Sequence, residues 1–279
     1  MGKEKRHHPS NYSLLMTQMV HVLPVSPSRK RTRGFAAVYK INWGRLEKLE
    51  ITARETLNAF DLLTLLALTK AALESPLEDG GCYKGPDGKE EKRMYVLQIG
   101  VRQFVEGYRE LKWGSRTREA VRQSLERLAD CTWTYFYKGS EFSRVKILLD
   151  FKEEKQKKWL LWINKNFIDA AKKYKENLLF LKLNISYIQQ CRTDIGKLLM
   201  VWLQGQRNTV CKEDLIFQAL HLHYTEKKKS RYELKKAFDD VVAAGYLQSY
   251  KVEKKNSYYQ FCWAYSTPCS KKQALKHGA

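Results

Sequence analysis

Two histidines one residue apart, His221 and His223, are the residues of this sequence best spaced for metal-dependent chemistry. Tyr258 and Tyr259 follow downstream, and a tyrosine beside a two-histidine metal site could attack a phosphodiester. Histidines at this spacing share one cation on a strand, because alternate strand residues point to the same face. Here they end a stretch with helical spacing, residues 214–220, where positions two apart diverge by roughly 200°. A nicking endonuclease is therefore kept only as the weaker alternative.

Other catalytic and metal-binding motifs are missing from the sequence. No phosphate-binding G-x-x-x-x-G-K-[ST] loop occurs, since Gly88-Lys89 is followed by Glu90 and Tyr83 stands at the position of the first glycine. The six cysteines form no C-x-x-C pair, which predicts reduced cytosolic thiols rather than a zinc site or a disulfide framework. We therefore expect no catalytic residue, no metal and no cofactor.

The charge of the chain points to a polyanionic partner. Lys and Arg outnumber Asp and Glu by 51 to 30, a net charge of +21, and nucleic acid is the usual partner of such an excess. A membrane surface would also attract it, but the longest apolar run, residues 62–68, is too short to span a bilayer. The N-terminus lacks the apolar core of a secretion signal. We expect a cytoplasmic nucleic-acid-binding protein with no membrane partner.

Hydrophobic periodicity predicts the same order of elements twice. Two strands, 35–43 and 46–52, precede the first set, which comprises helices 57–72, 101–108 and 115–130 and strands 132–138 and 144–151. The second set comprises helices 191–204, 212–220 and 229–244, and strands 246–253 and 258–265. The glycine-rich residues 77–93 predict a hairpin or a mobile loop. Three helices followed by a β-hairpin are typical of a winged helix.

The sequence thus predicts an α+β fold of tandem winged-helix domains related by internal duplication. The expected divisions are a flexible basic tail (1–34, with a short helix around 12–21), a first winged-helix domain (35–175), a second (176–265) and a basic C-terminal tail (266–279).

A shift of 113 positions tests the duplication. It places the apolar triplet Val121, Leu125 and Leu128 on Leu234, Phe238 and Val241, and Val145 on Tyr258. Each triplet forms one apolar stripe that should face the core of its own domain. The same shift places Arg116 on Lys229, Arg118 on Arg231 and Arg122 on Lys235. Cations at corresponding positions of two helices are typical of a pair of DNA-recognition helices.

These two helices and their hairpins supply the candidate DNA-binding residues. Arg and Lys can read guanine and Gln123 can read adenine in the major groove. Lys227, Lys228, Lys229 and Ser230 open the second helix, where amides and ammonium groups bind phosphate. Tyr232 should lie on the exposed face. The remaining candidates are cations of the two helices and hairpins, namely Arg116, Arg118, Arg122, Lys138, Arg144, Lys146, Arg231, Lys235, Lys236, Lys251, Lys254 and Lys255.

The chain resembles the plasmid replication initiators that bind repeated origin sites, or iterons, and among them the RepC-type initiators of IncQ-like plasmids. The resemblance is carried by residues 45–51 leading to 57–72, by Leu183-Asn184-Ile185-Ser186 leading to Thr193-Asp194-Ile195-Gly196, and by residues 231–250. It spans roughly residues 35–265 and is a similarity of order and pattern. The tail and residues 77–93 lie outside it.

The resemblance implies a double-stranded DNA partner, two winged-helix domains straddling one iteron, and recruitment of the host initiator and replicative helicase, with a homodimer as a further possibility. It also implies that the C-terminal domain reads the major groove most specifically. Two alternatives stay open beside the nicking endonuclease: a winged-helix transcriptional regulator, and a nucleoid or membrane-surface protein held by charge alone.

Overall fold

The computed structural model describes residues 12–16, 19, 25, 33–43, 46–84, 91–138, 142–154, 157–173, 180–206, 208–220, 222, 227–253 and 257–264. Its helices and small antiparallel sheets confirm the α+β class. The chain divides into two units, Met1–Asn184 and Ile185–Ala279. This division falls beyond the predicted boundary at residue 175, because strand Phe180–Asn184 pairs with strand Tyr12–Met16 in the first unit.

The first unit contains strands β1 (Tyr12–Met16), β2 (Arg33–Trp43), β3 (Leu46–Glu55), β4 (Glu78–Lys84), β5 (Glu91–Gly100), β6 (Thr132–Tyr137), β7 (Phe142–Val145), β8 (Leu148–Glu154), β9 (Lys158–Asn164) and β10 (Phe180–Asn184). Its helices are α1 (Ala59–Glu74), α2 (Ser115–Asp130) and α3 (Lys165–Lys172), with a short π-helix (Gln103–Tyr108) before α2. The strands form two four-stranded antiparallel sheets, ordered β2-β3-β6-β7 and β4-β5-β9-β8, and the pair β1-β10.

Helix α1 is buried along almost its whole length, as its Leu- and Ala-rich sequence predicts. Asn58 caps its N-terminus: the Asn58 side chain accepts hydrogen bonds from amides of the first turn, and the Asp61 carboxylate accepts one from the Asn58 amide. This capping box satisfies amides that would otherwise be buried without a partner. The hydroxyls of Thr64 and Thr69 donate to carbonyl oxygens one turn back, so both polar residues fit a buried helix.

Residues 77–93 were predicted to form a hairpin or a mobile loop, and the structure shows the hairpin. Strands β4 and β5 pair antiparallel there, with residues 85–90 outside the described part of the chain. Gly81 has a φ of +80°, a left-handed conformation that favours glycine, and its amide donates to the Asp79 carboxylate at 2.9 Å.

The single strand predicted at residues 144–151 is wrong. The chain forms β7 and β8 instead, which pair with β6 and β9 in different sheets. Ile147 and Leu148 are fully buried at the crossing point. Residues 144–151 contain no glycine or proline that would mark a turn, so they look like one strand in sequence, and only the pairing partners divide them. Strand β9 and helix α3 were not predicted.

The short helix expected around residues 12–21 is also wrong at its start, because Tyr12–Met16 forms β1. Leu14 and Leu15 of this strand are buried, and the Ser13 hydroxyl donates to the Leu66 carbonyl of α1 at 2.7 Å. Residues predicted to belong to a tail therefore contribute to the core of the first unit.

The second unit contains α4 (Ile185–Gln190), α5 (Asp194–Gln204), β11 (Val210–Lys212), α6 (Glu213–Leu220), α7 (Lys227–Ala243), β12 (Leu247–Glu253) and β13 (Tyr258–Trp263). Its strands form one antiparallel sheet in the order β11-β13-β12. Helix α5 begins later than the predicted residue 191, because Thr193 is its N-cap and its hydroxyl accepts from the Gly196 amide at 3.0 Å. Strand β11 and helix α4 were not predicted.

The shift of 113 residues relates helices of the two units but not their sheets. It superimposes α2 on α7, and both predicted apolar triplets are fully buried or nearly so. Strand β11 pairs with β13, whereas β5, which precedes the π-helix as β11 precedes α6, pairs with β4 and β9. The correspondence thus holds for the long helices and ends at strand pairing.

Candidate nucleic-acid interface

Helix α7 presents a basic face opposite its buried face. Leu234, Phe238 and Val241 are 0% exposed, which fixes the orientation of the helix on its core. Lys228, Lys229, Arg231, Tyr232, Lys235 and Lys236 lie on the exposed side. Among the described residues, Lys228 and Lys235 have no carboxylate within ion-pairing distance. The two ammonium groups are thus available to a polyanion.

The N-terminal turn of α7 can contribute backbone as well as side-chain donors. The first four amides of a helix have no partner within the helix and attract anions. Lys228 and Lys229 are exposed beside them. Ser230 is 2% exposed, and its hydroxyl donates to the Leu222 carbonyl at 3.3 Å. The hydroxyl of Ser230 is therefore already bound within the protein.

Tyr232 and Lys236 form a contact pair on the same face. Tyr232 is 57% exposed, as expected from its position, and the Lys236 Nζ lies 4.3 Å from the centre of its ring. The contact with Tyr232 raises the pKa of Lys236, so the ammonium stays charged. The pair offers an aromatic face and a cation one helical turn apart.

Arg231 is exposed in part but is already bound within the protein. Its Nε and Nη2 donate to the two carboxylate oxygens of Glu213 at 2.9 Å each, and Nη2 also donates to the Ser257 hydroxyl at 3.4 Å. The hydrogen bond to Glu213 raises the pKa of Arg231. Sequence reasoning treated Arg231 as a reader of bases and did not identify Glu213, whose position before an apolar run carries no diagnostic signal.

The outer face of α2 carries the same kinds of residue, but acids bind them. Arg118 pairs with Glu153, and Arg122 pairs with Glu126 and, at 2.7 Å, with Glu119. Gln123 donates to Glu119 at 2.8 Å. Hydrogen bonds from Arg122 and Gln123 lower the pKa of Glu119 to about 2. The cations of α2 are therefore largely neutralised within the protein.

The hairpin candidates of the first unit differ in their exposure. Lys138 and Arg144 are exposed near the β6–β7 turn, and Arg116 is exposed at the start of α2. Lys146 is half-buried and donates to the Ala129 carbonyl at 3.1 Å. That bond ties the strand end to α2 and makes Lys146 the weakest candidate of this group.

In the second unit, Lys251 of β12 is exposed, as predicted for a hairpin cation. Lys254 and Lys255 lie outside the described residues, and so does the side chain of Lys227.

Of the residues proposed for a nicking reaction, the two tyrosines lie in the described part of the chain. His221 and His223 lie outside the described residues. Tyr259 is 2% exposed, and its ring stacks on Phe238 with centroids 4.9 Å apart. Burial raises the pKa of its phenol to about 12. No group of three His, Cys, Asp or Glu side chains in the described part is arranged to hold a metal ion, and no described helix is long and apolar enough to cross a membrane.

The fold is shared with solved structures. A scan against protein-family models and a search of curated proteins gave no match. A crystal structure of domains 2 and 3 of RctB is similar with a TM-score of 0.60 and 14% identity, covering 92% of this chain and 100% of that one. A second RctB structure of the same domains gives 0.56 and 14%, covering 88% and 96%.

The Pi initiator protein, solved in complex with iteron DNA, is similar with a TM-score of 0.50 and 10% identity, covering 75% of this chain and 94% of that one. At these identities the similarity defines the fold class: the chain has the α+β fold of RctB domains 2–3 and of the Pi initiator.

Proposed function

We propose that this chain is a plasmid replication initiator that binds directly repeated duplex sites through two winged-helix domains. It promotes origin opening by binding energy and by recruiting the host initiator and replicative helicase, without catalysis of its own. It acts in the bacterial cytoplasm on its plasmid. One observation carries the proposal: the exposed lysine face of α7 belongs to a fold shared with an initiator solved on iteron DNA.

The order of elements in the second unit supports the winged-helix interpretation. Helices α5, α6 and α7, strand β11 between the first two, and the β12–β13 hairpin are the parts of a winged helix, with α7 in the place of the recognition helix. In the first unit, α1, the π-helix, α2 and the β6–β7 hairpin follow the same order. Two reading domains on one site would multiply specificity.

In the proposed complex, α7 lies in the major groove. Lys228, Lys229 and the N-terminal amides bind phosphate, which fixes the register of the helix on the duplex. Lys235 and Tyr232 face the base edges, where each good contact contributes about 1–3 kcal/mol of discrimination. Lys251 reaches the phosphates beside the groove.

Selection of bound fragments from a random duplex pool at about 150 mM salt, followed by footprinting, tests the proposal. We expect one enriched motif of about two helical turns, protected in two successive major grooves. Its tandem copies would then locate the origin. Equal binding of all sequences would show that the charge serves non-specific binding, and the initiator function would be abandoned.

Paired variants test which helix makes the contacts. Lys228→Gln with Lys235→Gln should weaken duplex binding about tenfold and reduce the slope of log K against log salt by about two. Arg118→Gln with Arg122→Gln should do less than half of this, because internal acids already neutralise these cations. Lys173→Gln, exposed at the end of α3, is the control. Equal losses from both pairs would contradict the assignment of α7.

A transcriptional regulator is the second candidate, and one feature favours it. An open groove of about 420 Å³ in the first unit is lined by Tyr83, Met94, Trp162 and Asp150, among others. Its volume lies within the range of small-ligand sites, and Tyr83, Met94 and Trp162 supply the apolar and aromatic lining that such sites use. Release of DNA by a metabolite that quenches tryptophan fluorescence would favour the regulator over a constitutive initiator.

A further inference from the structure

Glu213, the first residue of α6, is a buried acidic side chain that the DNA contacts proposed above do not use. Its side chain is 2% exposed, and its amide donates to the Ser257 carbonyl at 2.9 Å. A buried carboxylate is stable only where donors or cations surround it. The Glu213 carboxylate must therefore have polar partners, and these partners indicate its role.

Arg231 of α7 supplies the counter-charge through a two-pronged contact. Its Nε and Nη2 bind Glu213, and Nη2 binds the Ser257 hydroxyl as well. Within the described residues, this leaves Nη1 as its one guanidinium nitrogen without a hydrogen bond. Guanine is read by two adjacent donors. Arg231 is therefore poorly suited to read a base while it holds Glu213.

The network joins three separate segments: the start of α6, the basic helix α7 and the turn between β12 and β13. Ser257 lies in that turn with a φ of +53°, and it contacts Glu213 through its carbonyl and Arg231 through its hydroxyl. Below it, the rings of Tyr259 and Phe238 stack in the core. The arrangement fixes the angle between the helix and the hairpin.

We propose that Glu213 and Arg231 are positioning residues that hold α7 and the β12–β13 hairpin in the one relative orientation that fits the specific DNA site. This inference rests on the proposed function. It predicts that loosening the network lowers discrimination between specific and random duplexes more than it lowers total affinity, because phosphate attraction needs no fixed angle whereas base contacts do.

Glu213→Gln in the full chain is the sharpest test, because the buried Glu213 carboxylate cannot touch DNA itself. The ratio of dissociation constants for random and selected duplexes should fall about tenfold. Arg231→Lys keeps the charge but loses the two-atom hydrogen-bonded contact with Glu213, so the ratio should fall by a similar factor. Ser257→Gly removes the CH2OH side chain, and with it the contact to Arg231, while glycine suits the left-handed backbone, so about a threefold fall is expected. Glu233→Gln, which removes one acid from α7 itself, is the matched control and should leave the ratio unchanged.

A direct reading role for Arg231 gives the opposite pattern. In that case Glu213→Gln, by freeing the guanidinium, leaves the ratio unchanged or raises it, while Arg231→Lys alone lowers it, and the positioning role is overturned. If Glu213→Gln fails to fold, the Arg231→Lys and Ser257→Gly pair decides: an unchanged ratio in both overturns the proposal.

If the unmodified protein binds all duplex sequences equally, the proposed function fails. Amide hydrogen exchange then tests the network independently of DNA binding. Faster exchange of the Glu213 amide in Arg231→Lys supports the positioning role of the network, and unchanged exchange refutes it.

Discussion

The long helices α2 and α7 each form a buried polar contact with their own unit. The residues that make it stand at corresponding positions and carry opposite charges. Under the shift of 113 residues, Arg127 corresponds to Asp240. Arg127 donates to the Asp61 carboxylate of α1 at 3.0 Å, and Ser124 donates to the same carboxylate at 2.7 Å. Asp240 instead accepts from the amide and hydroxyl of Thr193, at 2.8 Å each, at the start of α5.

In both units a carboxylate therefore sits at the N-terminus of the helix against which the long helix packs, where the helix dipole favours a negative charge. What differs is which helix supplies it. In the first unit the helix against which α2 packs supplies the carboxylate, Asp61, and in the second unit the long helix α7 supplies it, Asp240.

On their outer faces the two helices differ in a way that matters for binding. α2 carries four cations and three acids, and Glu119, Glu126 and the distant Glu153 bind Arg118 and Arg122. α7 carries six cations and three acids, and of its acids Asp240 is turned inward while Asp239 accepts a hydrogen bond from Tyr250 at 2.8 Å. The two helices thus have similar numbers of charged residues in sequence, but fewer cations of α2 than of α7 are left to bind an external anion.

The largest expected effect comes from removing the Asp61 carboxylate, which binds Arg127 and Ser124 in the first unit. Asp61→Ala should lower the free energy of unfolding of that unit by about 3–5 kcal/mol, because Arg127, whose side chain is 11% exposed, loses its hydrogen-bonded carboxylate and keeps only the contact with Glu55 at 4.0 Å. Urea unfolding followed by the fluorescence of the buried Trp133 and Trp159 measures this. Asp130→Ala, exposed at the end of α2, is the control. A loss below about 1 kcal/mol would mean that the tie is not what holds α2 on α1.

The corresponding tie in the second unit is sensitive to space. A Cβ at Gly196 would collide with the Asp240 carboxylate and lie 2.7 Å from the Thr193 hydroxyl oxygen. Gly196→Ala should therefore destabilise the protein by about 1–3 kcal/mol through overpacking, although alanine is the better helix former by roughly 1 kcal/mol. Gly107→Ala, where a Cβ would meet nothing within 4 Å, should be neutral or stabilising in the same thermal unfolding experiment. Equal behaviour of both variants would show that Asp240 can move away at little cost.

The periodic helices were predictable because their signal is local. Val121, Leu125 and Leu128 repeat at helical spacing and are buried as expected. Strand partners are not local: Tyr12–Met16 finds β10 far along the chain, and nothing in its five residues specifies that partner. The sequence therefore predicted the long helices closely and failed where the fold depends on which strands meet.

The candidate interface shows the same division. The exposure of Lys235 and Tyr232 followed from helical geometry. The pairing of Arg122 with Glu119 and Glu126 could have been inferred from spacings of three and four residues. The partners of Arg118 and Arg231 could not, because Glu153 and Glu213 belong to other elements and meet these cations only after folding.

The smallest predicted effect would make α2 resemble α7. Glu119→Gln removes the carboxylate that holds both Arg122 and Gln123, so duplex affinity should rise about two- to fivefold and the salt slope should steepen by up to about one. Glu233→Gln on α7 should change less, because Glu233 acts on Lys236 through its charge without an ion pair to it within the described residues. Fluorescence anisotropy with a labelled duplex across a salt series measures both variants.

Acidification should not reproduce this gain. The pKa of Glu119 is lowered from 4.5 to about 2, so its pairing is fully present above pH 4.5 and is lost only as the pH falls through about 2. The ratio of affinities between Glu119→Gln and the unmodified chain should therefore stay constant from pH 8 to about pH 5. A ratio that collapses toward one in that range would mean that Glu119 is protonated there and that Arg122 is held more weakly than its geometry indicates. If the variant binds no better at any pH, Glu119→Gln with Glu126→Gln, which removes both acids that bind Arg122, decides the matter: unchanged affinity in this double variant would mean that α2 does not face the duplex.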